Sequence, residues 1–74
     1  MTFDWDYNRY MHTHKTTIGD FKCVGTEEPA LPFTEWEVEF QGEPIARGTA
    51  KDWKLARALM EAVVKTCVTT TYGI

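Results

Sequence analysis

The chain has 74 residues, a hydrophobic fraction of 43% and a net charge of −3, which indicate one folded domain without room for a second core. No apolar run is long enough to span a bilayer, and the N-terminus lacks the basic and apolar regions of a secretory signal. The two cysteines, Cys23 and Cys67, are too few for a disulfide framework or a four-thiolate zinc site, so we expect reduced thiols. These features predict a small soluble, cytoplasmic domain.

The N-terminal part of the chain is predicted to form strands. Phe3, Trp5 and Tyr7 alternate with other residues, which indicates an extra strand or a docking arm within residues 1–10. A hairpin is expected next, with strands at residues 13–18 and 21–25 around a turn at residues 19–20. An acidic loop that contains two prolines separates this hairpin from the rest of the chain.

Residues 34–41 alternate strictly between acidic and apolar side chains, which is the pattern of a half-buried strand. One face of this strand carries Glu35, Glu37 and Glu39, and the other carries Trp36, Val38 and Phe40. A turn at residues 42–44 leads to a second strand at 45–50. Its small residues leave space for Trp53 or Met60 to pack over Ala46, Gly48 and Ala50.

An amphipathic helix is predicted over residues 52–67, with Asp52 as its N-cap. Its core-facing stripe consists of Trp53, Ala56, Leu59, Met60, Val63, Val64 and Cys67. The threonines at 69–71 and Gly73 are expected to end the helix, which leaves residues 68–74 as a short tail. The expected fold of the single domain, residues 1–74, is α+β, an antiparallel sheet of three to five strands with one C-terminal helix packed across one face.

The segment W-x-V-x-F-x-G from Trp36, followed by A-x-G-x-A-x-D-x-x-x-A from Ala46, resembles small uncharacterised bacteriophage accessory proteins. That resemblance implies a hairpin followed by a short amphipathic helix, and a phage accessory role without a known reaction. Residues 36–62 also resemble the C-terminal half of double-stranded-RNA-binding domains. Lys54 and Arg57 match that family's basic helix-start positions, Trp53 stands where it has its first lysine, and residues 1–20 lack its N-terminal helix.

Acidic residues form the first candidate binding surface. Nine acidic and three basic residues lie in residues 1–43, whereas residues 44–74 hold two acidic and five basic ones. The side chains of Glu35, Glu37 and Glu39 repeat at about 6.6 to 6.8 Å along their strand, close to phosphate spacing along a nucleic-acid strand. We therefore expect this row, with Glu27 and Glu28, to bind a basic surface of a partner protein. The plainer interpretation is a solvated face that resists aggregation.

Basic residues of the helix form the alternative surface. Lys51, Lys54, Arg57 and Lys65 are predicted to line its exposed side, where they would contact phosphates. Glu61 lies four residues from both Arg57 and Lys65 and partly neutralises this stripe. A protein that binds nucleic acid through phosphate contacts is usually strongly basic. The negative net charge of this chain therefore disfavours nucleic-acid binding.

The sequence contains few residues that could form a catalytic site or a metal site. The chain has no serine and no glycine-rich phosphate loop. His12 and His14 are spaced to share one strand face, but no second ligand cluster accompanies them, and we expect an exposed pair rather than a zinc site. Cys23 alternates with Phe21 on the predicted buried face, where a thiol is inert. We therefore expect no enzyme activity, no catalytic residue, no cofactor and no metal.

The predicted function is a non-enzymatic binding module, an accessory protein of the phage type that inhibits a host nucleic-acid-handling complex, with anti-CRISPR and anti-defence proteins as examples. A degenerate RNA-binding domain is the alternative, and a small virion or assembly component is a third. A homodimer is also expected, because the ten aromatic residues are many for so small a core. Residues expected to stay partly exposed are Phe3, Trp5, Tyr7, Tyr10 and Tyr72.

Overall fold

The computed structural model describes residues 2–71, with side chains through residue 68. It contains five strands and one helix: β1 (Asp6–Asn8), β2 (Thr13–Ile18), β3 (Phe21–Glu27), β4 (Thr34–Phe40), β5 (Glu43–Ala50) and α1 (Trp53–Thr71). The strands form one antiparallel sheet in the order β1-β2-β3-β4-β5. This architecture confirms the predicted α+β fold.

Two short turns set the register of the sheet. Gly19, with φ +56°, occupies the first position of the two-residue β2–β3 turn, as a type II′ hairpin requires. Gln41 and Gly42 join β4 to β5 with φ values of 52° and 84°, and two successive positive φ values are typical of a type I′ turn. A β-bulge follows between Val38 and Glu39, where β5 carries one extra residue.

The core lies between the sheet and α1. Its buried hydrophobic residues are Phe21, Cys23, Val38, Ala50, Ala56, Met60 and Val64. Ala56, Met60 and Val64 follow one another at intervals of four residues, so they lie along one side of the helix. Leu59, which was expected in this stripe, is 37% exposed, because it projects away from the line that these three residues form.

The helix begins as predicted but ends later than predicted. The backbone N–H of Leu55 donates to Asp52 Oδ1 at 2.9 Å, which confirms Asp52 as the N-cap. The predicted C-terminal end at residue 67 is wrong, since α1 continues through Thr71. The low helix propensity of β-branched threonine is only a few tenths of a kcal/mol per residue, which is too little to stop an established helix. Tyr72 and Gly73 lie outside the described residues.

The helix packs across β3, β4 and β5, but Trp53 and Met60 lie over Gly25 of β3 and not over Gly48 as predicted. A Cβ atom on Gly25 would lie 2.5 Å from Cζ3 of Trp53 and 3.2 Å from Cε of Met60, so the helix residues occupy the space above this glycine. Gly48 of β5 is covered instead by Trp36, its partner on β4. The absence of a side chain at Gly25 therefore sets the closest approach of α1 to the sheet.

Replacing Gly25 with Ala is expected to lower the free energy of unfolding by about 1–3 kcal/mol, the usual range for overpacking a filled core. The added methyl group collides with the Trp53 ring, which is fixed at the start of α1. Chemical denaturation of both proteins gives the difference. Gly48→Ala is the matched control and should cost less, because its nearest contact is 3.2 Å from the Trp36 ring. Equal stability of wild type and Gly25→Ala would contradict this packing.

The N-terminal segment contains both an extra strand and a docking arm, the two structures predicted as alternatives for residues 1–10. Residues 6–8 pair with β2 as a fifth strand, while Phe3 and Trp5 pack against the core as an arm. Tyr7 and Tyr10 are 52% and 82% exposed. Within the described residues, no helix has the length and apolar character needed to cross a membrane.

Candidate functional site: the open face of the sheet

The sheet has a covered face, on which α1 packs, and an opposite face that we call the open face. His14, Gly25 and Val38 lie on the covered face, because they contact α1 or are buried in the core. Since side chains alternate along a strand, their sequence neighbours lie on the open face. The open face is thus formed by Asp6, Lys15, Thr17, Lys22, Val24, Thr26, Glu35, Glu37, Glu39, Arg47 and Thr49.

The three glutamates of β4 form a row along the open face, as predicted. Glu35 is exposed, and Glu37 and Glu39 are half-buried. Within the described part of the chain, no cationic group lies within 4.0 Å of these carboxylates. A shallow concavity of about 590 Å³ lies beside the row and is lined by Val24, Glu35, Glu37 and Arg47 among others. The row can therefore meet a partner without first breaking an internal ion pair.

Basic residues flank this row, which the sequence analysis missed. Lys22 lies opposite Glu39 on β3, and Arg47 lies opposite Glu37 on β5. Directly opposite side chains of an antiparallel pair have Cβ atoms about 4.5 to 5.5 Å apart, so both cations reduce the negative potential of the row. Local sequence signals could not reveal these pairings, because β3 and β4 are joined by the loop at residues 28–33 and the bulge in β5 shifts the register that the β4–β5 turn alone would give.

Glu27 and Glu28 do not belong to the acidic row, although the sequence analysis grouped them with it. Glu27 pairs with Thr34, a buried residue, at the end of the covered face, and its Oε2 lies 2.7 Å from Nε2 of His14. Glu28 is exposed in the loop after β3 and borders a different concavity of about 470 Å³ together with Lys51. Glu27 is thus a partner of His14 and not a free docking group.

The histidines are not the exposed pair that was expected. The ring of His14 stacks on Trp53 with centroids 3.7 Å apart and planes 7° apart, and the Tyr7 ring lies 4.5 Å from it at an angle of 37°. His12 lies in the turn before β2 with φ 54°, so the two rings do not share a strand face. The described residues contain no group of three or more side chains able to hold a metal ion.

The predicted basic stripe of α1 is partly engaged by the N-terminal arm. Nε1 of Trp5 and Nε of Arg57 both donate to Oε2 of Glu61, at 2.9 and 3.1 Å. Lys65 lies 5.9 Å from the ring centre of Phe3. Burial acts to raise the pKa of Glu61, but the two hydrogen bonds and the charges of Arg57 and Lys65 outweigh it and lower the pKa below its usual value. Glu61 therefore joins the arm to α1, and it also pairs with Arg57 of the predicted stripe.

Lys51 and Lys54 remain exposed at the start of the helix. The structure therefore does not bring the four predicted basic residues together as one phosphate-binding surface.

Cys23 lies in the core and Cys67 is half-buried, and both are free thiols, as predicted. Burial, with the charge of Glu61 adding to it, raises the pKa of the Cys23 thiol to about 11. The unfolded chain releases this proton near the ordinary thiol pKa of about 8.5, whereas the native protein retains it. Cys23 therefore lowers the stability of the fold as the pH rises from about 8.5 towards 11, and has no such effect at neutral pH.

We expect the free energy of unfolding to fall more between pH 8 and pH 10 in the wild type than in Cys23→Ala, because only the wild type carries the shifted thiol. Urea denaturation at both pH values measures the two declines, and lysines and tyrosines cancel in the comparison. Cys67→Ala is the control and should keep the wild-type decline. Equal declines in wild type and Cys23→Ala would contradict the buried, protonated thiol.

Neither a protein-family model, nor a curated protein sequence, nor a solved structure matches this chain. The resemblances to phage accessory proteins and to double-stranded-RNA-binding domains stay predictions. The geometry of the open face is therefore the main indication of what the protein binds.

Proposed function

We propose that this chain is a non-enzymatic binding module that uses the open face of its sheet to dock on a basic surface of a partner protein. The observation that carries this proposal is the row of Glu35, Glu37 and Glu39, which lies on the face opposite α1 and has no ion pair within 4.0 Å in the described residues. The backbone of β4 fixes the spacing of the three residues before binding, so only their side chains become ordered on docking.

The partner class that we propose is a host complex that handles nucleic acid. Grooves that bind nucleic acid are lined with Lys and Arg at intervals set by the phosphates, and the glutamate row repeats at a similar interval of about 6.6 to 6.8 Å. A protein that fills such a groove inhibits the complex by excluding its nucleic acid. This is the mode of action expected of a phage accessory protein of the anti-CRISPR or anti-defence type.

Direct nucleic-acid binding through α1 is the weaker alternative. The chain carries a net charge of −3, and Arg57 is already paired with Glu61. Binding to phosphates requires several unpaired cations on one surface, because each neutralised phosphate contributes its own counterion release.

Converting Glu35, Glu37 and Glu39 to Gln is the direct test, because it keeps the size and alternation of the strand and removes the charge. Wild type and variant are immobilised and exposed to nuclease-treated bacterial lysate, and the retained proteins are quantified by mass spectrometry. A nucleic-acid-handling protein retained by the wild type should be depleted from the triple variant by at least about tenfold, since losing partners of charged contacts costs more than the roughly 1.4 kcal/mol this requires.

Two control variants make the result specific. Lys54→Gln with Arg57→Gln should retain the same protein as the wild type, because these residues lie on α1. Lys22→Gln with Arg47→Gln removes the cations beside the row and should strengthen the retention. Equal retention by the wild type and the triple variant would overturn the proposal. Binding of a 20-base-pair RNA duplex that the Lys54 and Arg57 changes abolish would support the alternative.

A further inference from the structure

One row of side chains crosses the open face at right angles to the strands. The register places Asp6 opposite Lys15, Lys15 opposite Val24, Val24 opposite Glu37, and Glu37 opposite Arg47. These five residues come from the five strands in spatial order, with Val24 on the central strand. Neighbouring strands are about 4.8 Å apart, so the row spans about 19 Å.

The charges of this row change sign about its centre. From β1 to β5 they are negative, positive, neutral, negative and positive. A two-fold axis that runs parallel to β3, below the open face, places β4 of one copy against β2 of the other and β5 against β1. Glu37 then faces Lys15 of the second copy, Arg47 faces its Asp6, and the two Val24 side chains meet on the axis. All four charge pairs that this operation forms within the row are attractive.

The adjacent row forms one like-charged contact across the same axis, which neighbouring glutamates offset. Lys22 lies on β3, close to the axis, and Glu39 lies beside it on β4. The rotation places the two Lys22 side chains opposite each other on the axis, and Glu39 of each copy lies beside this lysine pair, so two glutamates compensate the two lysines. The remaining open-face positions near the axis, Thr17 and Thr26, are uncharged and create no repulsion.

The size of the open face fits a weak dimer. Five strands at about 4.8 Å spacing and about six residues at 3.3 Å give an area of roughly 24 by 20 Å, on the order of 500 Å² per copy. Two copies then bury about 1,000 Å², the lower end of the range for specific interfaces. Two sheets packed face to face lie about 10 Å apart, a distance that Glu, Lys and Arg side chains can bridge.

We propose that the occupant of the open face in the isolated protein is a second copy of this chain, related by a two-fold axis parallel to β3. The dimer is held mainly by charge pairs, so it dissociates as the ionic strength rises. A partner protein that uses the glutamate row competes with this dimer, and the monomer is the form that binds it. The inference needs no partner and is tested on the protein alone.

Sedimentation equilibrium on wild type, Lys15→Glu and Glu37→Lys tests the proposal. In 50 mM salt the wild type should dimerise, with a dissociation constant that increases at least about tenfold in 500 mM salt. Each charge reversal should weaken dimerisation at least about tenfold, because it creates two like-charged contacts. An equimolar mixture of the two variants should form a heterodimer, because both of its contacts between position 15 and position 37 are again attractive.

If the two substitutions only destabilised the protein, mixing Lys15→Glu with Glu37→Lys would not restore association. Restored association therefore supports the proposed charge contacts. Circular dichroism checks that each variant is folded, and a variant that fails is replaced by Asp6→Lys with Arg47→Glu as its complement, the outer pair of the same row. A monomeric wild type in low salt, unchanged association of the single variants, or a mixture that stays monomeric would each overturn the proposal. The proposed function would be unaffected, because its test measures partner retention.

Discussion

Met60→Ala is expected to lower the free energy of unfolding by about 2–5 kcal/mol, the range measured for large-to-small changes in closed cores. Met60 is fully buried, and its Cε lies above Gly25 beside the Trp53 ring. Small domains have total stabilities of about 5–15 kcal/mol, and a chain of this length lies at the lower end. The substitution should therefore remove much of the stability of the fold.

The measurement for Met60 is urea denaturation followed by circular dichroism. Leu59→Ala is the matched control, since it is the neighbouring residue of the same helix and is 37% exposed. It should cost less than about 1 kcal/mol, as surface substitutions usually do. Similar losses for the two variants would show that α1 faces the sheet with a different side.

Trp53→Ala is expected to cost about 3–5 kcal/mol, as for other aromatic residues packed in a core. The Trp53 ring contacts three separate parts of the molecule: it stacks on His14 of β2, meets the edge of Trp5 at 4.9 Å and lies above Gly25 of β3. Removing it leaves a void between α1, the sheet and the N-terminal arm. The effect should therefore include release of the arm as well as loss of stability.

Hydrogen exchange of the backbone amides distinguishes these two consequences. In Trp53→Phe, which preserves part of the ring surface and tests the same contacts with less risk of unfolding, the amides of β1 should exchange faster while those of β3 and β4 remain protected. The control is Trp36→Phe, which changes a ring over Gly48 of β5. This strand forms the edge of the sheet farthest from β1, so the exchange of the β1 amides should stay unchanged. Unchanged exchange of β1 in Trp53→Phe would contradict the role of this ring in holding the arm.

Much of the fold was predictable because its determinants are local. The alternation of residues 34–41, the turn at Gly19 and the N-cap at Asp52 each act over a few residues, and the structure has all three. The second turn was predicted at residues 42–44 but lies at residues 41–42, because β5 begins at Glu43. The place of Trp53 and Met60 over Gly25 was not predicted, because Gly25 and Gly48 are both glycines in strands. Which of them receives helix side chains depends on tertiary packing, which spacing alone does not determine.

The candidate site was predictable only in part. The glutamate row follows from strand alternation, whereas the cations beside it follow from strand register, which requires the pairing of three strands at once. Glu27 was misassigned for the same reason: its role depends on His14, which is thirteen residues away along the chain and a neighbour only in the sheet. Charge counts along a sequence therefore overstate how many acidic groups are available to a partner.

Isothermal titration at constant salt measures the affinity of a partner, isolated by lysate capture, for the wild type and two variants. This measurement shows directly whether the open face is the binding surface. The triple change of Glu35, Glu37 and Glu39 to Gln should weaken binding at least about tenfold, while the change of Lys54 and Arg57 to Gln should alter it less than about threefold. The reverse order, with the helix variant impaired and the open-face variant unchanged, would contradict the assignment of function to the open face.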